Sequence, residues 1–252
     1  MSAIQPPFRC WWSEVRALRQ LAVGNFKNKA TWNANDRDLE VAWRDVQIWD
    51  IDRWPVDATV IHKGSKCILV LGSLKAAIDI TETNKRIGMQ AGWGHKVDIV
   101  ISMNAEDEWH QGEPADYKKH YAQAYVRCHL SYGGYDKQSI HGAEADAKRA
   151  EYISRWWQVA GDLQDQIRQC QRNGPLVVLI HCFGGANRSS STLCALLIIL
   201  YRYTAWEAIA ALVEARPGVE YWVRRGYFIE ALYELEWHVR CVGVLSERVP
   251  AR

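Results

Sequence analysis

Hydrophobic runs separated by turn residues divide the chain after Lys66 into alternating strands and helices. Apolar stretches predict four buried strands, at 67–73, 97–103, 125–130 and 176–182. Apolar residues at helical spacing predict five helices, at 74–87, 145–172, 189–203, 205–215 and 223–242. Strands that alternate with helices, followed by a closing run of helices, indicate an α/β fold with a central sheet covered by helices on both faces.

The first sixty residues follow a different pattern. They are weakly helical around 12–21 and contain a polar, turn-rich stretch at 33–38. Six of the thirteen tryptophans precede Asp57, which is too much apolar aromatic surface for a disordered tail. We therefore expect residues 1–60 to form a Trp-rich extension that packs on the rest of the chain, with no assigned function.

Composition excludes several classes of protein. The formal net charge of the 252 residues is +2, which gives no reason to expect nucleic acid or an anionic membrane as a partner. Seven scattered cysteines form no C-x-x-C pair, so we expect no metal, no cofactor and no disulfide framework. The longest apolar run, 193–200, is too short to span a bilayer, and the N-terminus does not resemble a signal peptide. We expect a soluble protein of the cytoplasm or the nucleus.

The spacing Cys182-x5-Arg188 is the strongest candidate for chemistry, but the spacing alone is weak. Seven cysteines and twenty arginines produce it by chance about half the time. Cys10 and Arg16 have the same spacing, without an intervening glycine or a preceding strand. We interpret that pair as a partly buried cysteine and a surface arginine.

The surroundings of the second pair are specific. His181 precedes the cysteine, Gly184 and Gly185 lie within the loop, and Ser189 follows the arginine. A predicted strand enters the loop and a predicted helix leaves it. Requiring only the histidine and the glycine at the third position after the cysteine lowers the chance expectation to about one in a thousand.

A short loop between a strand and a helix directs several backbone N–H groups toward one point, where the helix dipole also favours negative charge. Such a site suits a phosphate dianion, and the same field favours ionisation of Cys182. The planar guanidinium of Arg188 can bind two phosphate oxygens. Glycines allow positive φ in the loop, and Asn187 is among the few other residues that tolerate it.

Two neighbouring residues have two interpretations each. Ser189 either hydrogen-bonds the sulfur of Cys182, helping it leave in a second chemical step, or simply caps the helix. His181 either orients the loop through its ring, which we favour, or is an ordinary histidine at the end of a strand.

The segment HCFGGANRSS resembles the phosphate-binding signature of the protein tyrosine phosphatase superfamily, HC-x-x-G-x-x-R-S/T. Three further segments are similar to its dual-specificity subgroup: CILVLGSLKAAID, HKVDIVISMN and ARPGVEYWVRRGYFIEALYELE. The resemblance covers roughly residues 60 to 240 and implies a phosphatase domain at 61–245. It also implies a mixed sheet of about five strands with helices on both faces.

The resemblance implies roles for individual residues. Cys182 would be the nucleophile that becomes phosphocysteine, Arg188 would clamp the phosphate, and Ser189 would assist hydrolysis of the intermediate. The remaining loop residues would bind phosphate: Phe183, Gly184, Gly185, Ala186 and Asn187. A general acid is also needed. We choose Asp136, in a glycine-containing loop after the strand 125–130, over Asp146 or the absence of an acid.

The loop interior contains no lysine, so it lacks the extra charge expected of a site for highly phosphorylated inositol lipids. We expect a phosphorylated protein as substrate, on tyrosine and on serine or threonine. One alternative is a pseudophosphatase that binds a phosphorylated partner without turnover. The other is an RNA 5′-triphosphatase, because a loop with Asn187 before the arginine also resembles the loop of the cysteine-dependent members of that class. A thiol redox enzyme would need a resolving cysteine, and Cys194 lies about three helical turns away.

Overall fold

The computed structural model describes residues 57–92, 94–103, 128–131, 143–170, 174–182, 184–216, 219 and 227–247. The predicted Trp-rich extension lies almost entirely outside these residues, so its packing on the rest of the chain stays a prediction. The boundary of the predicted domain at residue 61 is likewise untested.

The described strands form one five-stranded mixed sheet. They are β1 (Thr59–Lys63), β2 (Cys67–Gly72), β3 (Val97–Ser102), β4 (Cys128–Ser131) and β5 (Leu176–His181). Their order across the sheet is β1-β2-β5-β3-β4. The edge strand β1 pairs antiparallel with β2, and the other four strands run parallel. The predicted mixed sheet of about five strands is confirmed.

The strand β1 is the one described strand that the sequence pattern did not predict. Its first four side chains are half-buried and its last is exposed, because it lies at the edge of the sheet. An edge strand needs no continuous apolar run, so TVIHK carries little of the signal that identified the central strands.

The described helices are α1 (Leu74–Ile78), α2 (Ile80–Ala91), α3 (Ala143–Gln169), α4 (Arg188–Tyr201), α5 (Ala205–Ala215) and α6 (Tyr227–Glu247). The prediction of one helix over 74–87 is wrong. Asp79 adopts non-helical angles, φ −98° and ψ 66°, and its side chain accepts a hydrogen bond from the N–H of Glu82 at 3.0 Å. This N-cap ends α1 and starts α2, because an aspartate gains more as a cap than inside a helix.

Side chains of the central strands alternate between two apolar layers. On one face of the sheet, Leu69 and Leu71 pack with buried residues of α3, α4, α5 and α6. On the other face, Ile68 and Val70 pack with buried residues of α1 and α2. Strands buried on both faces need nearly continuous apolar sequence, which explains why the central strands were recognisable. Helices cover both faces, as predicted.

The parallel strands end at a common edge of the sheet. In the register of the ladders, Gly72 of β2 and Ser102 of β3 both lie opposite His181 of β5. The chain after His181 therefore leaves from the middle of the carboxyl edge, between two neighbouring strand ends. Open α/β sheets bind ligands at this edge, and the segment 182–188 lies there.

Candidate active site

The segment from Cys182 to Arg188 connects the central strand β5 directly to the N-terminus of α4. Gly185 has φ 65°, a conformation that favours glycine, whereas Asn187 has φ −117° and no positive φ. Asn187 therefore does not use the positive φ that asparagine tolerates. The left-handed turn of the loop occurs at Gly185, the glycine of the signature. Phe183 lies outside the described residues.

The thiol of Cys182 is buried at the start of this loop. The residue is only 3% exposed, and its Sγ lies 3.2 Å from the Oγ of Ser189. Burial is the largest influence on the pKa of Cys182 and raises it. The charge of Arg188, the hydroxyl of Ser189 and the backbone N–H groups of Ser189 and Asn187 together outweigh burial, so the pKa falls below its ordinary value.

Ser189 lies where it can hydrogen-bond the sulfur of Cys182, and it is not the residue that caps the helix. The N-cap residue of α4 is Asn187, and Ser189 is the second residue of the helix. Its hydroxyl is directed at the sulfur of Cys182. Its predicted assistance to the chemical step remains a proposal.

Removing this hydroxyl should raise the pKa of Cys182. In Ser189→Ala the thiolate loses one hydrogen-bond donor, so we expect iodoacetamide to alkylate Cys182 with a pH midpoint shifted upward. Alkylation is measured by mass spectrometry of the peptide that contains Cys182. Ser191→Ala is the matched control, because the Ser191 hydroxyl donates to the carbonyl of Arg188 at 2.9 Å instead of to the sulfur. Equal midpoints in both variants would contradict the prediction.

The guanidinium of Arg188 is held by the neighbouring strand. Arg188 is 2% exposed, and its Nη1 donates to the carbonyl oxygen of Met103 at 3.2 Å. The N–H of Met103 donates in turn to the carbonyl of His181 at 2.8 Å. Met103 follows β3 directly, so the end of that strand fixes both the arginine and the residue before the nucleophile. Sequence reasoning missed Met103, whose contribution comes from its backbone.

Four consecutive hydroxyl residues begin α4 after the arginine, and all four are fully buried. The hydroxyl of Ser189 contacts the sulfur of Cys182, whereas that of Ser190 donates to the carbonyl of Gly185 at 3.5 Å. Thr192 donates to the carbonyl of Arg188 at 2.8 Å. Side-chain hydroxyls thus bond the backbone of the loop and of the first helical turn, which limits the freedom of both.

The other predicted site residues are placed as follows. The side chain of His181 is fully buried at the end of β5, and its role in orienting the loop stays a prediction. Gly184 and Ala186 are half-buried within the loop. Asp136, the chosen general acid, lies outside the described residues. Asp146 lies in the first turn of α3, and its side chain is outside the described part.

Two further properties concern the described part of the chain. It contains no group of three or more His, Cys, Asp or Glu side chains placed to hold a metal ion. None of its helices combines the length and the apolar character needed to cross a membrane.

Solved structures of phosphatases share this fold. The kinase associated phosphatase KAP superimposes with a TM-score of 0.51 at 14% identity, covering 75% of this chain and 98% of that one. Tk-PTP superimposes with a TM-score of 0.50 at 16% identity, covering 73% of this chain and 97% of that one. No known family profile and no curated protein matches the chain.

These neighbours define the class of the fold. The chain has the α/β fold of cysteine-based phosphatases. This agrees with the fold that the resemblance of the signature and the flanking segments implied. At 14% and 16% identity this likeness establishes the fold alone, since one fold can carry different activities.

Proposed function

We propose that the protein hydrolyses phosphomonoesters through a phosphocysteine intermediate. The observation that carries the proposal is the buried thiol of Cys182, whose pKa is lowered. This thiol lies at the start of a strand-to-helix loop that ends in Arg188. An anion-binding loop explains why Arg188 and the backbone N–H groups converge here, but binding alone does not require an ionised thiol. A nucleophilic reaction uses all of these features.

In the first step, the thiolate of Cys182 attacks phosphorus. The S–P bond forms as the P–O bond to the leaving group breaks, and Asp136 donates a proton to the departing oxygen. In the second step, water attacks the phosphocysteine and gives its proton to the carboxylate of Asp136. The S–P bond breaks, its electron pair returns to sulfur, and the hydroxyl of Ser189 stabilises the thiolate. Ester and water become alcohol and inorganic phosphate.

We further propose that the substrate is a protein phosphorylated on tyrosine and on serine or threonine. The loop 183–187 contains no lysine to bind additional phosphates. The six described cysteines are all free thiols, which suits a reducing compartment such as the cytoplasm or the nucleus. Phosphotyrosine and phosphothreonine peptides, compared with a 5′-triphosphorylated RNA oligonucleotide, test the substrate class. Preferred hydrolysis of the RNA would support the RNA 5′-triphosphatase alternative.

Turnover of p-nitrophenyl phosphate distinguishes an enzyme from a module that only binds phosphate, and its loss in variants identifies the general acid. We expect Asp136→Asn to lower kcat by about 10²-fold or more, because the leaving oxygen loses its proton donor, and to remove the basic limb of the pH profile. Asp146→Asn serves as the comparison variant. A reversed pattern would assign the acid to Asp146. Absence of turnover in the unaltered protein, with phosphate still bound, would instead support a pseudophosphatase.

A further inference from the structure

An ion pair outside the signature lies against the backbone that supports the loop. Arg216 follows α5 directly, and Asp57 lies two residues before β1. Nη2 of Arg216 pairs with the carboxylate of Asp57, while Nη1 donates to the carbonyl of Asp57 at 3.0 Å. The two side chains are 16% and 31% exposed, respectively. Both side chains of the pair also bind backbone groups near the loop, which points to a local role.

The pair binds the backbone on both sides of Gly72, the last residue of β2. Arg216 Nη1 donates to the carbonyl of Leu71 at 3.4 Å. On the other side, the N–H of Ser73 donates to Asp57 Oδ1 at 2.9 Å. Arg216 therefore binds the peptide between Leu71 and Gly72, and Asp57, which pairs with Arg216, binds the next peptide, between Gly72 and Ser73.

This peptide is in close contact with the candidate phosphate loop. A Cβ added at Gly185 would lie 2.6 Å from the carbonyl oxygen of Gly72 and 2.8 Å from the nitrogen of Ser73. Behind it, a Cβ added at Gly72 would lie 2.8 Å from the Cβ of Ala76 and 2.9 Å from Cδ1 of Leu179. The backbone at Gly72 is therefore packed closely between Gly185 of the loop and the side chains of Ala76 and Leu179.

We propose that Arg216 and Asp57 are positioning residues for the phosphate loop: by fixing the two peptides on either side of Gly72 against Gly185, they hold the loop amides in their anion-binding orientation. The proposal deepens the proposed function, since it concerns the same site. It requires only that the loop binds an oxyanion, and not that Cys182 turns over a substrate. Neither residue would touch the phosphate itself.

The test compares Arg216→Met and Asp57→Asn with Arg202→Met. Methionine keeps most of the volume of arginine but removes its charge and donors. Arg202 also donates to a backbone carbonyl, that of Val239 at 3.4 Å, but lies at the opposite end of α4. A 14-residue helix separates that residue from the loop by about 20 Å. Arg202→Met therefore reports the loss of an arginine hydrogen bond away from the site.

Alkylation of Cys182 by iodoacetamide provides both readouts without turnover. Its pH dependence gives the pKa of the thiol, and protection by inorganic phosphate gives the affinity of the loop for an oxyanion. We expect Arg216→Met and Asp57→Asn to weaken protection by phosphate about tenfold and to raise the pKa, because the loop amides lose their alignment with the sulfur. Arg202→Met should leave both values at those of the unaltered protein. Thermal unfolding confirms that each variant is folded.

Unchanged phosphate protection and an unchanged thiol pKa in a folded Arg216→Met or Asp57→Asn variant would overturn the proposal. Should Arg216→Met fail to fold, Asp57→Asn decides, since asparagine retains the oxygen that accepts from Ser73 but replaces the oxygen that pairs with Arg216 by an amide NH2 group. Arg216→Lys should recover part of the phosphate affinity, because it keeps the charge but not the paired donors. If the unaltered protein hydrolyses no p-nitrophenyl phosphate while the variants still weaken phosphate protection, the proposed function fails and the positioning role stands.

Discussion

Replacing Cys182 with serine should abolish turnover of p-nitrophenyl phosphate, with a loss in kcat of at least about 10⁴-fold. The environment that lowers the pKa of the thiol cannot ionise a hydroxyl, whose pKa is many units higher, so the nucleophile is lost. Arg188 and the loop amides remain in place. We therefore expect Cys182→Ser to bind inorganic phosphate while failing to release product, as measured by calorimetry and by steady-state kinetics on one preparation.

Cys194→Ala is the control for this variant. Cys194 is a fully buried thiol in the middle of α4, and burial raises its pKa, so it stays protonated and unreactive. Its replacement should leave kcat within about twofold of the unaltered protein, although the small cavity lowers stability. Turnover retained by Cys182→Ser, or abolished by Cys194→Ala in a folded protein, would assign the chemistry to a different group.

The central fold could be predicted because its signals are local. The strands β2, β3 and β5 are almost entirely apolar, and all but one of their residues are buried. The prediction was poorer where burial is partial or where one side chain changes the backbone. The edge strand β1 has a mixed pattern, and the capping aspartate Asp79 divides a helix that looked continuous.

The site could be predicted only in part, for a related reason. The segment from His181 to Ser189 is contiguous, so its residue types predict its chemistry directly from the sequence. Its supports are remote along the chain: Met103 is 85 residues from Arg188, and Arg216 is 159 residues from Asp57. These contacts also use backbone carbonyls and N–H groups, which nearly every residue type has, so the sequence does not indicate which residues make them. Only folding brings these remote residues close to the segment from His181 to Ser189.

The Cys-x5-Arg spacing at Cys182 illustrates the same point. At Cys182 the spacing coincides with a strand that ends at the centre of the carboxyl edge and with a glycine in the left-handed conformation. Cys10 and Arg16 lie outside the described residues. We expect the spacing to acquire chemical meaning at the end of the sheet, because the backbone N–H groups and the helix dipole there favour a thiolate and a bound anion.

Arg188→Met should lower kcat/KM for p-nitrophenyl phosphate by about 10³-fold, since the transition state loses a buried charge and its paired donors. It should also raise the pKa of Cys182 more than Ser189→Ala does, because the charge of Arg188 is the strongest of the influences that lower it. A higher thiol pKa means less thiolate at neutral pH, so the acid limb of the kcat/KM profile moves to higher pH. Steady-state kinetics across pH measures both effects.

Arg188→Lys distinguishes the charge of this residue from its geometry. Lysine restores a positive charge near the sulfur, so the thiol pKa should return toward that of the unaltered protein, while the loss in kcat/KM remains large because an ammonium group cannot bind two phosphate oxygens as a planar fork. Arg188 also donates to the carbonyl of Met103, which aligns the guanidinium before any anion arrives. Full recovery of kcat/KM by lysine would show that charge alone is sufficient. A thiol pKa unchanged in Arg188→Met would mean that the loop amides, and not the arginine, ionise the nucleophile.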